Sequence, residues 1–217
     1  MMDLELLNAA ESAYDKLKIL CLQKDWQLVG EYKGVEMSKR RFQDSTISMY
    51  KGVKVIDNNP KLISELFLNL DPTTLKKWDP TFEIYQTERS VEKQADFQLD
   101  IDYMVSSLPW PVWSRDFVLL SARKIVGNAI YHFQTSIDYP HKPPQPDKYV
   151  RGLVNVSGFV FEPVGTESIE SSKQTKITRI LHVDPKGQIP SWIINSESNK
   201  QIVDLVNNIA TLGIQSH

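Results

Sequence analysis

The chain has 217 residues, 41% of them apolar and 24% charged, which is enough for one well-packed core and short for two domains. A formal charge of −2 and a pI near 6.1 exclude the strong basic excess of a dedicated nucleic-acid binder. Cys21 is the single cysteine, so no internal disulfide forms and a reducing, cytoplasmic setting is expected.

Met1 to Leu7 is acidic and lacks the basic start and apolar run of a secretory leader. No stretch approaches the roughly 20 apolar residues that span a bilayer. The first element reads as a helix, with Leu7, Ala10, Tyr14, Leu17 and Cys21 on one stripe and Asp3 as its N-cap. From Trp26 to Asp57 the period shortens. Trp26 and Leu28, Val35 and Met37, then Ile47, Met49, Val53 and Val55 alternate with polar residues, and Gly30, Gly34 and Asp44-Ser45 mark the turns of an antiparallel meander.

Asn58-Asn59-Pro60 opens a second helix whose buried side is expected to be Leu62, Ile63, Leu66, Phe67 and Leu70. Asp71-Pro72 starts a short third helix that ends near Trp78-Asp79-Pro80. Strands are predicted over Glu83 to Arg89, Ala95 to Val105, Phe117 to Ile125, Ala129 to Asp138, Tyr149 to Glu162 and Lys176 to Asp184. The proline-rich run Tyr139 to Asp147 between two of them reads as a stiff exposed loop. A last helix begins near Pro190, with Ile202, Leu205, Val206, Ile209 and Leu212 on its apolar stripe.

These elements predict an α+β architecture in one domain over 1–217: a curved antiparallel sheet of about nine strands wrapped around a long C-terminal helix. The sheet must bury its apolar face, and the final helix is the large apolar element left to cover it. A sheet wrapped on one helix can leave a cavity between them, a common place for an apolar ligand.

The run Trp110-Pro111-Val112-Trp113-Ser114-Arg115-Asp116-Phe117-Val118 resembles the P-x-x-x-RDFV signature of START domains, the steroidogenic-acute-regulatory-protein-related lipid-transfer family. Asp184-Pro185-Lys186-Gly187-Gln188-Ile189-Pro190-Ser191-Trp192-Ile193-Ile194-Asn195 resembles that family's lead-in to its last helix. Lys77-Trp78-Asp79, Tyr149-Val150-Arg151-Gly152 and Gly158-Phe159-Val160-Phe161-Glu162-Pro163 match shorter landmarks, in family order across the chain. The resemblance implies a helix-grip fold with an internal hydrophobic tunnel under the C-terminal helix, and one bound membrane lipid: a phospholipid, a sterol or ceramide. It implies a moving gate as well, here Ser106 to Ser114 together with Pro190 to Leu212.

Several residues follow as candidates. Leu108, Trp110, Val112, Trp113 and Arg115 form the gate loop. Tryptophan favours a membrane interface, so transient contact with a membrane surface is one role for Trp110 and Trp113, and core packing is the other. Arg115 is expected to pair a carboxylate at the loop base in preference to touching a headgroup. Some family members set an acidic residue of the preceding strand against an arginine six positions after the signature arginine. That position here is Ser121, and Arg123, on the same strand face, is the candidate replacement for pairing Asp102. Asp100 and Asp102 are otherwise expected on a solvated face.

Phosphatidylcholine-binding members carry an arginine three positions before the tryptophan of the Trp-Asp landmark, where this chain has Leu75. Tyr103, Tyr131, His132 and Tyr139 are candidate polar handles. Trp192 is expected to anchor the last helix on the sheet, Asn195 to bond neighbouring backbone, and Ile202, Leu205, Val206 and Ile209 to roof the tunnel.

No nucleophile elbow, P-loop or dinucleotide fingerprint occurs. His132, His141, His182 and His217 are scattered without metal-ligand spacing. The expectation is therefore a monomeric, free-standing lipid carrier with no metal, cofactor or catalytic group. An enzyme of the helix-grip superfamily, marked by an Asp102–His132 pair in the tunnel, and a ligand sensor remain as alternatives.

Overall fold

Apolar–polar alternation through the middle of the chain builds ten strands in one sheet of the computed structural model, which describes residues 2–41, 47–94 and 96–212. The strands are β1 (Gln27–Tyr32), β2 (Val35–Arg41), β3 (Ser48–Ile56), β4 (Phe82–Gln94), β5 (Phe97–Ser106), β6 (Arg115–Val126), β7 (Ala129–Ser136), β8 (Val150–Arg151), β9 (Leu153–Pro163) and β10 (Thr175–Asp184). Their order is β1-β2-β3-β10-β9-β7-β6-β5-β4, with β8 pairing β6 in parallel. The β3–β10 pairing joins the first meander to the last strand. The expected turn at Asp44-Ser45 and the strand start at Ala95 lie outside the described residues.

The predicted strand Tyr149 to Glu162 is two strands. Val150–Arg151 follows the start of β6, Gly152 N–H bonds the Asp116 carbonyl at 3.0 Å, and the chain then crosses to run between β7 and β10.

Helix α1 (Met2–Leu22) lies on one face of the sheet, where Ala10, Ala13, Tyr14 and Leu17 pack on β6, β7, β9 and β10. Helix α4 (Ser191–Leu212) lies on the other face and seats Ile202, Val206 and Ile209 on β2, β3 and a further helix, α2 (Pro60–Leu68). The sheet is thus covered on both sides, which corrects the expectation that the final helix alone would cover it. Two glycines make the close approach work. A Cβ at Gly52 would stand 2.4 Å from Ile202 Cγ2, and one at Gly158 would stand 2.8 Å from Leu17 Cδ2.

Asp3 sits inside the first turn of α1 instead of capping it, and pairs Arg89 at 3.0 Å. Asn59 caps α2 by accepting from Leu62 N–H at 3.0 Å, while its amide donates to the carbonyls of Ile169, Glu170 and Ser172. The inner face of α2 is centred on Pro60, Ile63 and Ser64, so Leu62 faces solvent, contrary to expectation. A short α3 (Pro72–Trp78) follows, capped by Asp71. The helix-grip arrangement is present: a long antiparallel sheet curls around α4, and α2 and α3 close the side.

Candidate functional site

The concave face of the sheet does not pack fully against its helices. A chamber of about 380 Å³ remains, lined by Phe67, Leu75, Phe82, Met104, Phe159 and Leu205 among others. A second lobe of about 130 Å³ runs toward the start of α4, past Leu108, Phe117, Leu181, Ile189 and Ile193. Phe82, Met104, Gln134, Ser157, Arg179 and Leu205 line both, so the two lobes lie side by side, together termed the tunnel. The larger volume falls in the range of about 300–1,000 Å³ typical of small-ligand sites.

Alternation on β5 sends Gln98, Asp100, Asp102 and Met104 into this tunnel and Phe97, Leu99, Ile101 and Tyr103 toward α1. Asp102 is buried, not on a solvated face as expected. Its carboxylate accepts from Tyr85 Oη at 2.9 Å, Thr87 Oγ1 at 2.8 Å and Ser121 Oγ. Gln134 Nε2 in turn donates to Ser121 Oγ at 2.9 Å. Three hydroxyls therefore do what the family's arginine would do at position 121. Burial pushes the Asp102 carboxyl up, and these hydroxyls pull against that shift.

His132 also faces the tunnel. Its Nε2 lies 2.7 Å from Ser64 Oγ, and its ring meets Phe67 and Phe161 edge-on. Burial first, and the positive charge of Arg123 second, lower it to about 3, so the imidazole is neutral. Asp102 and His132 are each taken up by other partners, and the pair that would mark an enzyme is not formed. Burial raises the Cys21 thiol to about 12, which leaves it unreactive.

Arg123 lines the tunnel but does not pair Asp102, and its Nε has no hydrogen-bond partner. Its strand register explains this: Arg123 lies opposite Gln98, whereas Asp102 lies opposite Leu119. A second tunnel arginine, Arg179 on β10, escaped the sequence reading. The signal was present, because Arg179 shares its strand parity with Ile177 and Leu181, which face inward.

Tyr103 and Tyr131 are not in the tunnel. Both point to the α1 face, where Tyr103 Oη donates to Asp116 Oδ2 at 3.3 Å and the Tyr131 ring meets Tyr14 edge-on at 5.0 Å. Tyr139 packs on that side too. On α4, Leu205 lines the tunnel, whereas Ile202, Val206 and Ile209 are committed to the core under β2 and β3. Trp192 is 69% exposed and anchors nothing, because Ile193 takes the inward position beside it. Asn195 accepts from Tyr50 Oη instead of serving neighbouring backbone.

In the gate loop, Leu108 and Arg115 line the smaller lobe, Val112 is half-buried, and Trp110 and Trp113 are 92% and 56% exposed. Among the described residues Arg115 pairs no carboxylate. It donates to the carbonyls of Pro185 and Lys186, each at 3.0 Å, and to that of Trp113. One buried guanidinium thus ties the gate loop to the turn before α4.

The comparisons agree with this geometry. Phosphatidylcholine transfer protein of Rattus norvegicus is 29% identical over 177 residues, covering 79% of this chain and 75% of that one. Human StAR-related lipid transfer protein 5 superposes with a TM-score of 0.79 at 20% identity, covering 97% of each chain. Human STARD10 does so with a TM-score of 0.75 at 20% identity, covering 93% of this chain and 78% of that one. The START domain family model matches residues 8–214, and the chain belongs to that family.

Proposed function

We propose that the chain binds one membrane lipid in its tunnel, by preference a phospholipid, and carries it between membranes as a monomeric single domain. The observation that carries this reading is the pair of adjoining lobes between the concave sheet face and α2, α3 and α4, whose apolar walls from Phe67, Leu75, Phe159, Leu181 and Leu205 are joined by a polar set that includes Gln134, Ser157 and Arg179. Exposing an acyl chain of about 16 carbons to water costs on the order of 13 kcal/mol, at about 0.8 kcal/mol per CH₂. A carrier need only match the bilayer, and an apolar tunnel does so without any reacting group. The rat and human relatives, named as lipid transfer proteins, point the same way. No helix among the described residues is long and apolar enough to cross a membrane.

Mass spectrometry of lipids extracted from the purified protein, after incubation with mixed liposomes, tests the reading. One lipid per chain, enriched in one class, is the expected result. A protein that comes out empty from every mixture overturns it.

Delivery requires the tunnel mouth to meet a membrane, and the exposed rings of Trp110 and Trp113 are placed to enter the interface. The double change Trp110→Ala, Trp113→Ala is expected to weaken liposome co-sedimentation at least tenfold, on the order of 1.4 kcal/mol. The melting temperature should stay put because neither ring is buried. Undiminished co-sedimentation would remove these rings from membrane contact.

A further inference from the structure

We propose that Arg123 and Arg179 form a clamp for an oxyanion, phosphate or carboxylate, on the lipid held in the tunnel. This rests on the reading of the tunnel as a lipid site and names the chemical class of the ligand.

The two arginines stand on one cross-strand row. Arg123 on β6 lies opposite His132 on β7, His132 opposite Phe159 on β9, and Phe159 opposite Arg179 on β10. Three strand spacings separate the two backbones, about 14 Å at about 4.8 Å per strand. Both side chains are long, and both line the chamber. The Arg179 guanidinium lies over the Phe159 ring, 4.4 Å from its centroid. The charge of Arg123 is felt by His132, next to it in the row. Between them stand His132 and Phe159, with Phe67 edge-on to both rings.

Among the described residues neither guanidinium forms an ion pair, and the Nε of each lacks a hydrogen-bond partner. Arg179 is only 7% exposed, and its Nη1 bonds just the Ile180 carbonyl at 3.0 Å. Asp102 accepts from three hydroxyls. The buried Asp79 is the carboxylate whose charge acts on Arg179, but it turns Oδ1 to Thr81, leaves Oδ2 without a hydrogen-bond partner and forms no ion pair with the guanidinium. A buried, unpaired guanidinium is costly to the empty protein and leaves its donors open to a planar oxyanion. Arg179 lines both lobes, so an anion on it would sit where the two lobes join, leaving each free for acyl chain.

The test compares uptake from vesicles of phosphatidylcholine, from phosphatidylcholine vesicles doped with diacylglycerol, and of free oleate, for the wild type, Arg179→Met and Arg179→Lys. The expected result is wild-type preference for phosphatidylcholine or oleate over diacylglycerol by at least about tenfold, the yield of a charge-assisted hydrogen bond. Which of the two ligands binds, the zwitterion with its phosphate or the oleate anion, tells phosphate from carboxylate. Arg179→Met should abolish that preference, and Arg179→Lys should keep part of it. The melting temperature of empty Arg179→Met should hold or rise, because an unpaired buried charge is gone. Preference for diacylglycerol, or full anion uptake by Arg179→Met, overturns the clamp and leaves the carrier reading standing. Wild type that takes up none of the three overturns the carrier reading itself.

Discussion

Arg151→Met is expected to lower unfolding stability by about 3 kcal/mol, the lower end of the cost of removing one partner of a buried ion pair. The Asp116 side chain is fully buried, and Arg151 grips it through Nε at 3.1 Å and Nη2 at 2.7 Å. Without the guanidinium, the carboxylate keeps only the Tyr103 hydroxyl at 3.3 Å. The lower end applies because Arg151 itself is 24% exposed, so water can reach part of the vacated space. Nη2 also donates to the Lys142 carbonyl at 3.2 Å, so the same substitution frees the proline-rich loop that Arg151 pins to β6 and β8. Urea denaturation measures the effect, read as a lower midpoint at unchanged slope. The double change Arg151→Met, Asp116→Leu should recover part of the loss, since the orphaned charge goes with it. A single mutant within 0.5 kcal/mol of wild type, as is usual for an exposed site, would mean that water solvates Asp116 as well as the guanidinium does.

Asp116 and Arg151 also show what the sequence could and could not reveal. Both belong to family landmarks, yet their pairing depends on β8 folding back in parallel on β6, a contact 35 positions apart that no periodicity encodes. The strands themselves were legible because alternation is local. The faces were not. On β5, Tyr103 looks like a handle for the ligand and Asp100 and Asp102 like the solvent side, and the structure reverses this. The reason is physical. With α1 on one face, the most apolar side of the strand is the one packed solid against it, and the side that lines a cavity must keep a few polar groups to orient what it holds. The same inversion misplaced Tyr131 and hid Arg179, a charge in an otherwise inward-facing row of β10. The roof on α4 failed for a related reason. Its apolar stripe is real, but Ile202, Val206 and Ile209 spend it on β2 and β3, and Leu205 from that stripe reaches the tunnel.

Arg115→Met is the second large effect, and it separates holding the fold from holding the gate. The side chain is 4% exposed and its only acceptors are main-chain carbonyls, two at 3.0 Å from the turn before α4 and one from the gate loop. A buried carbonyl left unsatisfied costs about 1–3 kcal/mol, but the Lys186 end of this turn is open to water, so a total loss of about 2 kcal/mol is expected. The sharper consequence is kinetic. Leu108 from the loop and Ile189 and Ile193 from the turn and α4 line the same lobe, and Arg115 is the tie between the two sides. Cutting it lets them part without unfolding the sheet, so release of a fluorescent lipid to acceptor vesicles should accelerate several-fold at temperatures well below the melting transition. Arg115→Lys should behave more like Met than like arginine, because an ammonium lacks the fork that reaches three carbonyls at once. If stability falls by the expected amount while release from the folded mutant keeps the wild-type rate, Arg115 is a structural tie alone, and opening must occur on the α2–α3 side of the chamber, where Leu68, Leu70 and Pro72 form the wall.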